Sequence, residues 1–253
     1  SDVPVSQLVV DKNPKAQISE AFRSIRSNLN FINNKPGPKI IAITSSISGE
    51  GKTFVCLNIA GILAYTGKKI ILLDLDMRKP KIHKGFGVSN DVGMSTILTG
   101  MTPVEECIKH SHFPNLDYIT AGPIPPNPSE LIIDNMLDVL IEELKKTYDY
   151  IVFDNPPIGL VTDGITTIQK ADFPIYVFRS DYSKKAFIQI LDKLINEGNI
   201  KNLGIILNGV DTSRSAYGYK YGYGYGYGNT YGGGYYEEDK VNNKSSKIKL
   251  WKS

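Results

Sequence analysis

"KIIAITSSISGEGKTFVCLNIAGILAYTG", residues 39–67, decides how this chain folds. It opens on an apolar, β-branched run, Lys39 to Ser45, that is too short for a helix and reads as a buried strand. A Ser- and Gly-rich segment follows, then an apolar stretch of helical length that closes at Gly67. Between strand and helix stands "SSISGEGKT", residues 45–53, which fits the end of G-x-x-x-x-G-K-[ST] with Ser46 in place of the first glycine. Small residues let backbone N–H groups face a phosphate, and the helix N-terminus behind them adds its dipole. Nucleotide contacts are expected from Ser48, Gly49, Glu50, Gly51, Lys52, Thr53 and Phe54. In such a loop the lysine, here Lys52, reaches the β- and γ-phosphates of ATP, and the hydroxyl of Thr53 holds Mg2+.

Outward from this unit the alternation continues. "KKIILLDLD" (68–76), "LDYITAG" (116–122), "YDYIVFD" (148–154), "FPIYVFRS" (173–180) and "LGIILNGV" (203–210) read as strands. "KAQISEAFRSIRSNLNFI" (15–32) places Ile18, Phe22, Ile25, Leu29 and Ile32 on one helical face. "PSELIIDNMLDVLIEELKKTY" (128–148), with Ser129 as its cap, "TDGITTIQKA" (162–171) and "SKKAFIQILDKLINEG" (183–198) are the other helices, and 85–115 reads as short helices and loops. Continuously apolar strands alternating with helices predict a doubly wound, mostly parallel α/β sheet covered on both faces. Ligands of such sheets collect beyond the carboxyl ends of the strands. That rule selects Asp74 and Asp76 after one strand and Asp154 after another. Asn208 and Asp211 follow the last strand and are expected to border the adenine, although "LNGVD" reads equally as a turn.

The chain has 253 residues, enough for one such domain with ends to spare, and a net charge of +3 that suggests no nucleic-acid partner. Cys56 and Cys107 lack a partner at ligand spacing and read as packed, reduced thiols. His110 and His112 lack acidic or sulfur neighbours at such spacing and read as surface residues. The apolar runs are strand-length, well short of the roughly 18–20 residues of a membrane span, and no signal peptide is visible. The chain begins with Ser1, so a piece of something longer is expected.

The C-terminal part is of another kind. Tyr217, Tyr219, Tyr221, Tyr223, Tyr225, Tyr227, Tyr231, Tyr235 and Tyr236 are nine of the chain's 15 tyrosines, mostly separated by glycine. With no Leu, Ile or Val among them they can build no core, and glycine opposes regular structure, so a solvated tail is expected. Five lysines and no acids occupy 240–253, a short basic end.

Together these residues resemble the bacterial tyrosine kinases of capsule and exopolysaccharide systems. Residues 45–53 look like that family's Walker A loop, Asp74, Asp76 and Arg78 its D-x-D-x-R motif (Walker A′), and Asp154 with Pro156 and Pro157 its Walker B motif. "GVSNDVGMSTILTG" (87–100) and "GPIPPNPSEL" (122–131) are also similar, and Glu20, Arg23 and Arg26 match an E-x-x-R-x-x-R segment on a leading helix. The resemblance implies a P-loop NTPase fold of the MinD/ParA type over residues 16–212, an N-terminal linker at 1–15 and a flexible tail at 213–253. It implies an ATP- and Mg2+-dependent tyrosine autokinase whose own tail is the substrate. Lys52, Asp74, Asp76 and Asp154 would be catalytic. Lys52 would neutralise the γ-phosphate, Asp74 would take the phenol proton, and Asp76, Asp154 and Thr53 would hold Mg2+ or its waters. Arg78 would steady the loop around it.

The nine tail tyrosines would be the phosphorylation sites. Glu20, Arg23 and Arg26 would contact a neighbouring subunit in a ring-shaped homo-oligomer, an octamer, so that phosphorylation runs in trans; the plainer reading of these three is a solvated charged stripe. Further implied partners are a membrane activator segment, fused or separate, and a cognate tyrosine phosphatase. The implied location is the cytoplasmic side of the bacterial membrane. The sequence departs from the family in having Ser48 where proline is usual and in the regularity of its Gly-Tyr repeat. Two other readings are a MinD/ParA-like ATPase switch and a nucleotide-gated scaffold whose tail only binds partners. The first expects a signature lysine where Ile47 stands.

Overall fold

The structure, a computed structural model, describes residues 8–12, 15–32, 36–133, 135–159, 163–198 and 200–211. In chain order its first half runs α1 (Val9–Lys12), α2 (Gln17–Ile32), β1 (Lys39–Ser45), α3 (Lys52–Ala64), β2 (Ile70–Asp74), α4 (Ile82–Phe86), α5 (Met94–Leu98), α6 (Val104–Cys107), β3 (Lys109–His110) and β4 (Leu116–Ile119). Then come α7 (Pro128–Ile133), α8 (Asn135–Leu144), β5 (Tyr150–Asp154), α9 (Asp163–Gln169), β6 (Phe173–Arg179), a 3-10 turn (Lys185–Phe187), α10 (Ile188–Asn196) and β7 (Gly204–Asn208).

The strands form one sheet in the order β3-β4-β2-β5-β1-β6-β7, parallel except for β3 against β4. Every residue of β1 and β2 is buried, because helices cover both faces and leave no polar side to show in the pattern. Side chains alternate between the faces. Ile41, Ile43, Ile70 and Leu72 pack under α2 and α3, whereas Ile40, Ala42, Ile71 and Leu73 pack on the opposite face with α8 and α10. Helix α3 is buried along nearly its whole length, lying between the sheet and α2.

The expected elements are present, with informative differences. Residues 8–12 were expected within a linker, yet Leu8 and Val10 are 8% and 2% exposed and pack on the back of α3. Asn58 Oδ1 accepts the N–H groups of Val9 and Val10 at 2.8 and 3.3 Å. Gly61 makes room for this contact, since a Cβ there would lie 2.6 Å from Leu8 Cδ1. On α2, Phe22 and Leu29 are buried but Ile18 and Ile32 are exposed, so only the middle of the apolar stripe is covered. The long helix expected over 128–148 is described as α7 and α8, with residue 134 outside the described residues. Its first residue is Pro128, whose fixed φ suits a helix start, so Ser129 lies inside the first turn and is no cap. The nine tail tyrosines and the basic end lie outside the described residues. No described helix is long and apolar enough to cross a membrane.

Candidate active site

β5 lies between β2 and β1, so the carboxyl ends of these three strands open side by side. β2 stops at Asp74, and the backbone leaves the pleat there. Just beyond it, the Asp76 N–H donates to Asp74 Oδ1 at 3.2 Å. The three expected carboxylates are all buried at this edge: Asp74 and Asp154 are fully enclosed and Asp76 is 7% exposed.

Residues 46–51 wrap between β1 and α3. Gly49 and Gly51 have φ of +95° and +96°, a region that side chains with a Cβ rarely adopt. At Gly51 a Cβ would also lie 2.1 Å from Asn208 Nδ2. Gly51 precedes α3 with no side-chain cap, so the first amides of the helix face an anion's position uncapped. Lys52 follows, buried, with Nζ 3.7 Å from Asp76 Oδ2. Thr53 Oγ1 donates to Asp154 Oδ2 at 2.6 Å, and Cys56 Sγ approaches Asp154 Oδ1 at 3.6 Å. Lys52, Thr53, Asp76 and Asp154 therefore form one cluster. Asp74 joins it through the neighbouring strand and accepts the N–H groups of Lys81 and Ile82 at Oδ2, at 3.3 and 3.1 Å.

The electrostatics follow from burying like charges together. Asp74 is pushed well above the usual carboxylate range by burial, then by the charge of Asp154. Burial also raises Asp154, against the pull of Lys52 and the Thr53 hydroxyl. The Cys56 thiol is raised strongly by burial and by Asp154, so it stays protonated and can donate weakly. Two carboxylates with elevated proton affinity beside one lysine suit a divalent cation. Mg2+ takes oxygen ligands and usually keeps waters beside one or two carboxylates and substrate phosphates. The Thr53 hydroxyl, Asp154 and Asp76 supply such oxygens, so the residues fit it. Among the described residues no three His, Cys, Asp or Glu side chains form a closed metal cage. Phosphate and water would have to complete the coordination.

The outer side of the loop is held by residues that sequence reading missed. Arg179 Nη1 donates to Gly49 O and the Tyr182 hydroxyl donates to Ser48 O, both at 3.0 Å. The Arg179 guanidinium also lies 5.3 Å from the Tyr182 ring centre. Ser183 donates to the carboxylate of Glu50, which accepts the Ile47 N–H at 2.8 Å on its other oxygen. Glu50 was expected among the nucleotide contacts, but its side chain is buried and spent on shaping the loop. The signal that would have found this grip is position: "RSDYS" follows the carboxyl end of β6, beside β1.

Asn208 Nδ2 donates to Glu50 O at 3.0 Å, which brings the end of β7 against the loop. A cleft of about 630 Å³ opens there between α2, α3 and β7, lined by Phe22, Ile25, Phe54, Arg179, Asn208 and Val210 among others. Phe54 meets Phe22 edge-on, with ring centres 5.9 Å apart. Asp211 is exposed, three residues beyond Asn208. Farther off, Glu20 and Arg23 form an ion pair on α2 and Arg26 is half-buried on the same helix. Arg78 is exposed and its Nη2 donates to Ser129 Oγ at 2.7 Å, linking the loop after Asp76 to α7. His110 does have an acidic neighbour. Antiparallel pairing sets it opposite Asp117, with Nδ1 2.7 Å from Oδ1, on the exposed sheet edge away from the carboxylates.

Known proteins resemble this chain in sequence and in fold. A family model described as an AAA domain matches residues 38–201. The chain is 38% identical over 217 residues to the putative tyrosine-protein kinase CapB of Staphylococcus aureus, covering 85% of this chain and 95% of that one. It is 35% identical to the tyrosine-protein kinase wzc of Salmonella typhi, of which it spans 30%. The kinase domain of the Escherichia coli tyrosine kinase ETK superposes with a TM-score of 0.78 at 30% identity, over 89% of this chain and 87% of that one.

Proposed function

From the fact that this chain belongs to the bacterial tyrosine kinases, we infer that it transfers the γ-phosphoryl group of ATP to the tyrosines of its own C-terminal tail. The observation that carries this reading is the meeting of Lys52, Thr53, Asp76 and Asp154 at one strand edge, with Asp74 directly beside them. In this reading the amides of residues 48–53 cradle the phosphates. Lys52 balances charge on the γ-phosphoryl group, and Phe54, Asn208 and Asp211 border the base at the apolar cleft. Mg2+, when bound, neutralises the phosphate oxygens; Thr53, Asp76 and Asp154 would hold it or its waters.

A tyrosine phenol has a pKa near 10, so its oxygen needs a proton acceptor to attack at neutral pH. Asp74 takes that role, and burial favours it by raising the proton affinity of its carboxylate. The phenol oxygen bonds to the γ-phosphorus as the β–γ bridging bond breaks, the electron pair leaves with ADP, and the phenol proton passes to Asp74. Positioning and charge stabilisation supply the catalysis, as in other phosphoryl transfers.

Residues 16–212 are the catalytic unit and 213–253 the substrate tail, with Tyr217 through Tyr236 as acceptors. Transfer runs in trans within a ring-shaped homo-oligomer, an octamer in the family's manner, whose contacts include Glu20, Arg23 and Arg26. Each phosphate adds about −1.5 to −2 charges. A heavily modified tail would repel itself and open the ring, resetting control of polysaccharide export. A membrane activator segment, fused or separate, and a tyrosine phosphatase complete the cycle at the cytoplasmic face of the membrane. The test is to incubate purified protein with ATP and Mg2+ and measure phosphotyrosine. An absence of phosphotyrosine, with ATP hydrolysed nonetheless, would instead make this an ATPase switch with a passive tail.

A further inference from the structure

The segment after Asp76 carries positive charge that the phosphate chemistry does not use. Residues 77–90, "MRKPKIHKGFGVSN", contain Arg78, Lys79, Lys81 and Lys84 and no acidic residue. Backbone bonds tie this segment to the site itself. The Lys79 N–H donates to Asp76 Oδ1 at 3.1 Å, and the Lys81 N–H donates to Asp74 Oδ2. The backbone that bears these charges is therefore held beside the carboxylates where transfer is placed.

Elsewhere several lysines pair with a neighbouring carboxylate: Lys145 with Glu142, Lys146 with Glu143 and Lys170 with Asp138. Among the described residues Lys79, Lys81 and Lys84 have no such ion pair. Lys79 and Lys84 are exposed. The field of the patch is felt by His83, which is held below its ordinary pKa by burial and then by the nearby charges of Lys84 and Lys109. Lys109 extends the patch onto β3, its Nζ donating to Ser89 O at 2.9 Å.

The sequence contains an anion of matching size. Glu237, Glu238 and Asp239 directly follow Tyr235 and Tyr236, and they are the only acidic residues between 212 and 253. We propose that the basic segment Arg78–Lys84 is a docking site for this acidic tripeptide on the tail of a second copy, and that it makes Tyr235 and Tyr236 the first tyrosines to be phosphorylated. The proposal rests on the kinase reading above and adds an order to it. An extended chain advances about 3.3–3.6 Å per residue. An acceptor phenol at Asp74 thus brings its trailing carboxylates within roughly 14 Å along the chain, over the segment that begins two residues past Asp76. Tyrosines 217 to 227 are followed by glycine or Lys220 and gain no such contact. Charge recognition of this exposed kind selects register and orientation more than it adds affinity, and salt weakens it.

The experiment reads the position of the first phosphate. Trypsin cleavage after Lys220 and Lys240 releases one peptide holding Tyr221, Tyr223, Tyr225, Tyr227, Tyr231, Tyr235 and Tyr236, and fragment-ion mass spectrometry of the singly phosphorylated form assigns the site. Early in the reaction, full-chain protein with ATP and Mg2+ is expected to carry at least threefold more phosphate on Tyr235 and Tyr236 than on any other tyrosine of that peptide. The triple variant Lys79→Gln, Lys81→Gln, Lys84→Gln, and separately Glu237→Gln, Glu238→Gln, Asp239→Asn, should each flatten this preference while leaving ATP binding unchanged. Reversing the charge on both sides at once, with Lys79, Lys81 and Lys84 made Glu and Glu237, Glu238 and Asp239 made Lys, should restore it. Active wild-type enzyme that phosphorylates all seven evenly, or a preference that survives neutralisation of either side, overturns the docking site and leaves the kinase reading standing. Absence of phosphotyrosine overturns both.

Discussion

Asp74 and Asp154 occupy matching positions on adjacent parallel strands, at the last residue of each. Both are fully buried, and both have raised proton affinity, with burial the largest cause. The fold thus encloses two carboxyl groups side by side, and ionising both carries a cost that a bound cation would relieve.

That cost has a direction in pH. A carboxylate whose folded pKa lies above its unfolded value binds protons more tightly when folded. Its stabilising contribution is present below the unfolded value, near 4, and is lost as pH rises through the raised folded value. The nucleotide-free protein should therefore lose stability from these two groups as pH climbs through that window. Asp154→Asn should flatten the profile and raise the melting temperature at pH 7 by about 2–4 °C, the shift expected for about 1 kcal/mol in a domain of this size. Thermal scans from pH 5 to 8 measure it; a lower melting temperature in the variant would show that the Thr53 contact outweighs the charge repulsion.

Lys52→Met should abolish autophosphorylation, a loss of at least about a hundredfold in rate, because the γ-phosphoryl group loses its fixed cation. Asp74→Asn should lose transfer but keep most of its nucleotide affinity. Titration with a fluorescent ATP analogue separates the outcomes: if binding collapses as well, Asp74 matters through the N–H groups it accepts from Asp76, Lys81 and Ile82 and not as the proton acceptor.

Tyr182→Phe should raise the KM for ATP about threefold to tenfold with little change in kcat. It deletes one donor to Ser48 O while leaving the ring under Arg179. Equal loss of kcat would place Tyr182 in the transfer step itself.

Arg23→Ala with Arg26→Ala should give monomers that phosphorylate poorly at low concentration, as measured by light scattering after gel filtration. On α2 the pair Glu20–Arg23 already satisfies itself locally, and such exposed pairs contribute only about 0.2–1 kcal/mol to folding. The melting temperature should therefore stay within a degree. Unchanged mass and activity would reduce these residues to a surface stripe.

Deleting residues 217–236 should leave the melting temperature and ATP binding intact, since no apolar residue other than the tyrosines stands there to pack on the domain. A fall of several degrees would mean that the tail is part of the fold.

What could be read in the sequence was what depends on neighbours along the chain. β1, β2 and β5 announced themselves as apolar runs, because burial on both faces leaves a continuous signal. The phosphate loop was legible for the same reason: its glycines and Lys52 act at fixed offsets. The bond from the Asp76 N–H to Asp74 was not, since it turns on the one residue where β2 leaves the sheet. Nor was the grip of Arg179, Tyr182 and Ser183, whose bonds join residues 130 to 134 positions apart. Leu8 and Val10 escaped notice because a four-residue helix is too short to show a period.

The packing of α3 bears on how the protein comes apart. Lys52 and Thr53 begin a helix enclosed by the sheet on one side and by α1 and α2 on the other. Its amides should be among the slowest in the molecule to exchange with deuterium, opening only when the whole domain opens. In denaturant, then, ATP binding and global structure should disappear in a single transition, and the ligand becomes a reporter of the native population.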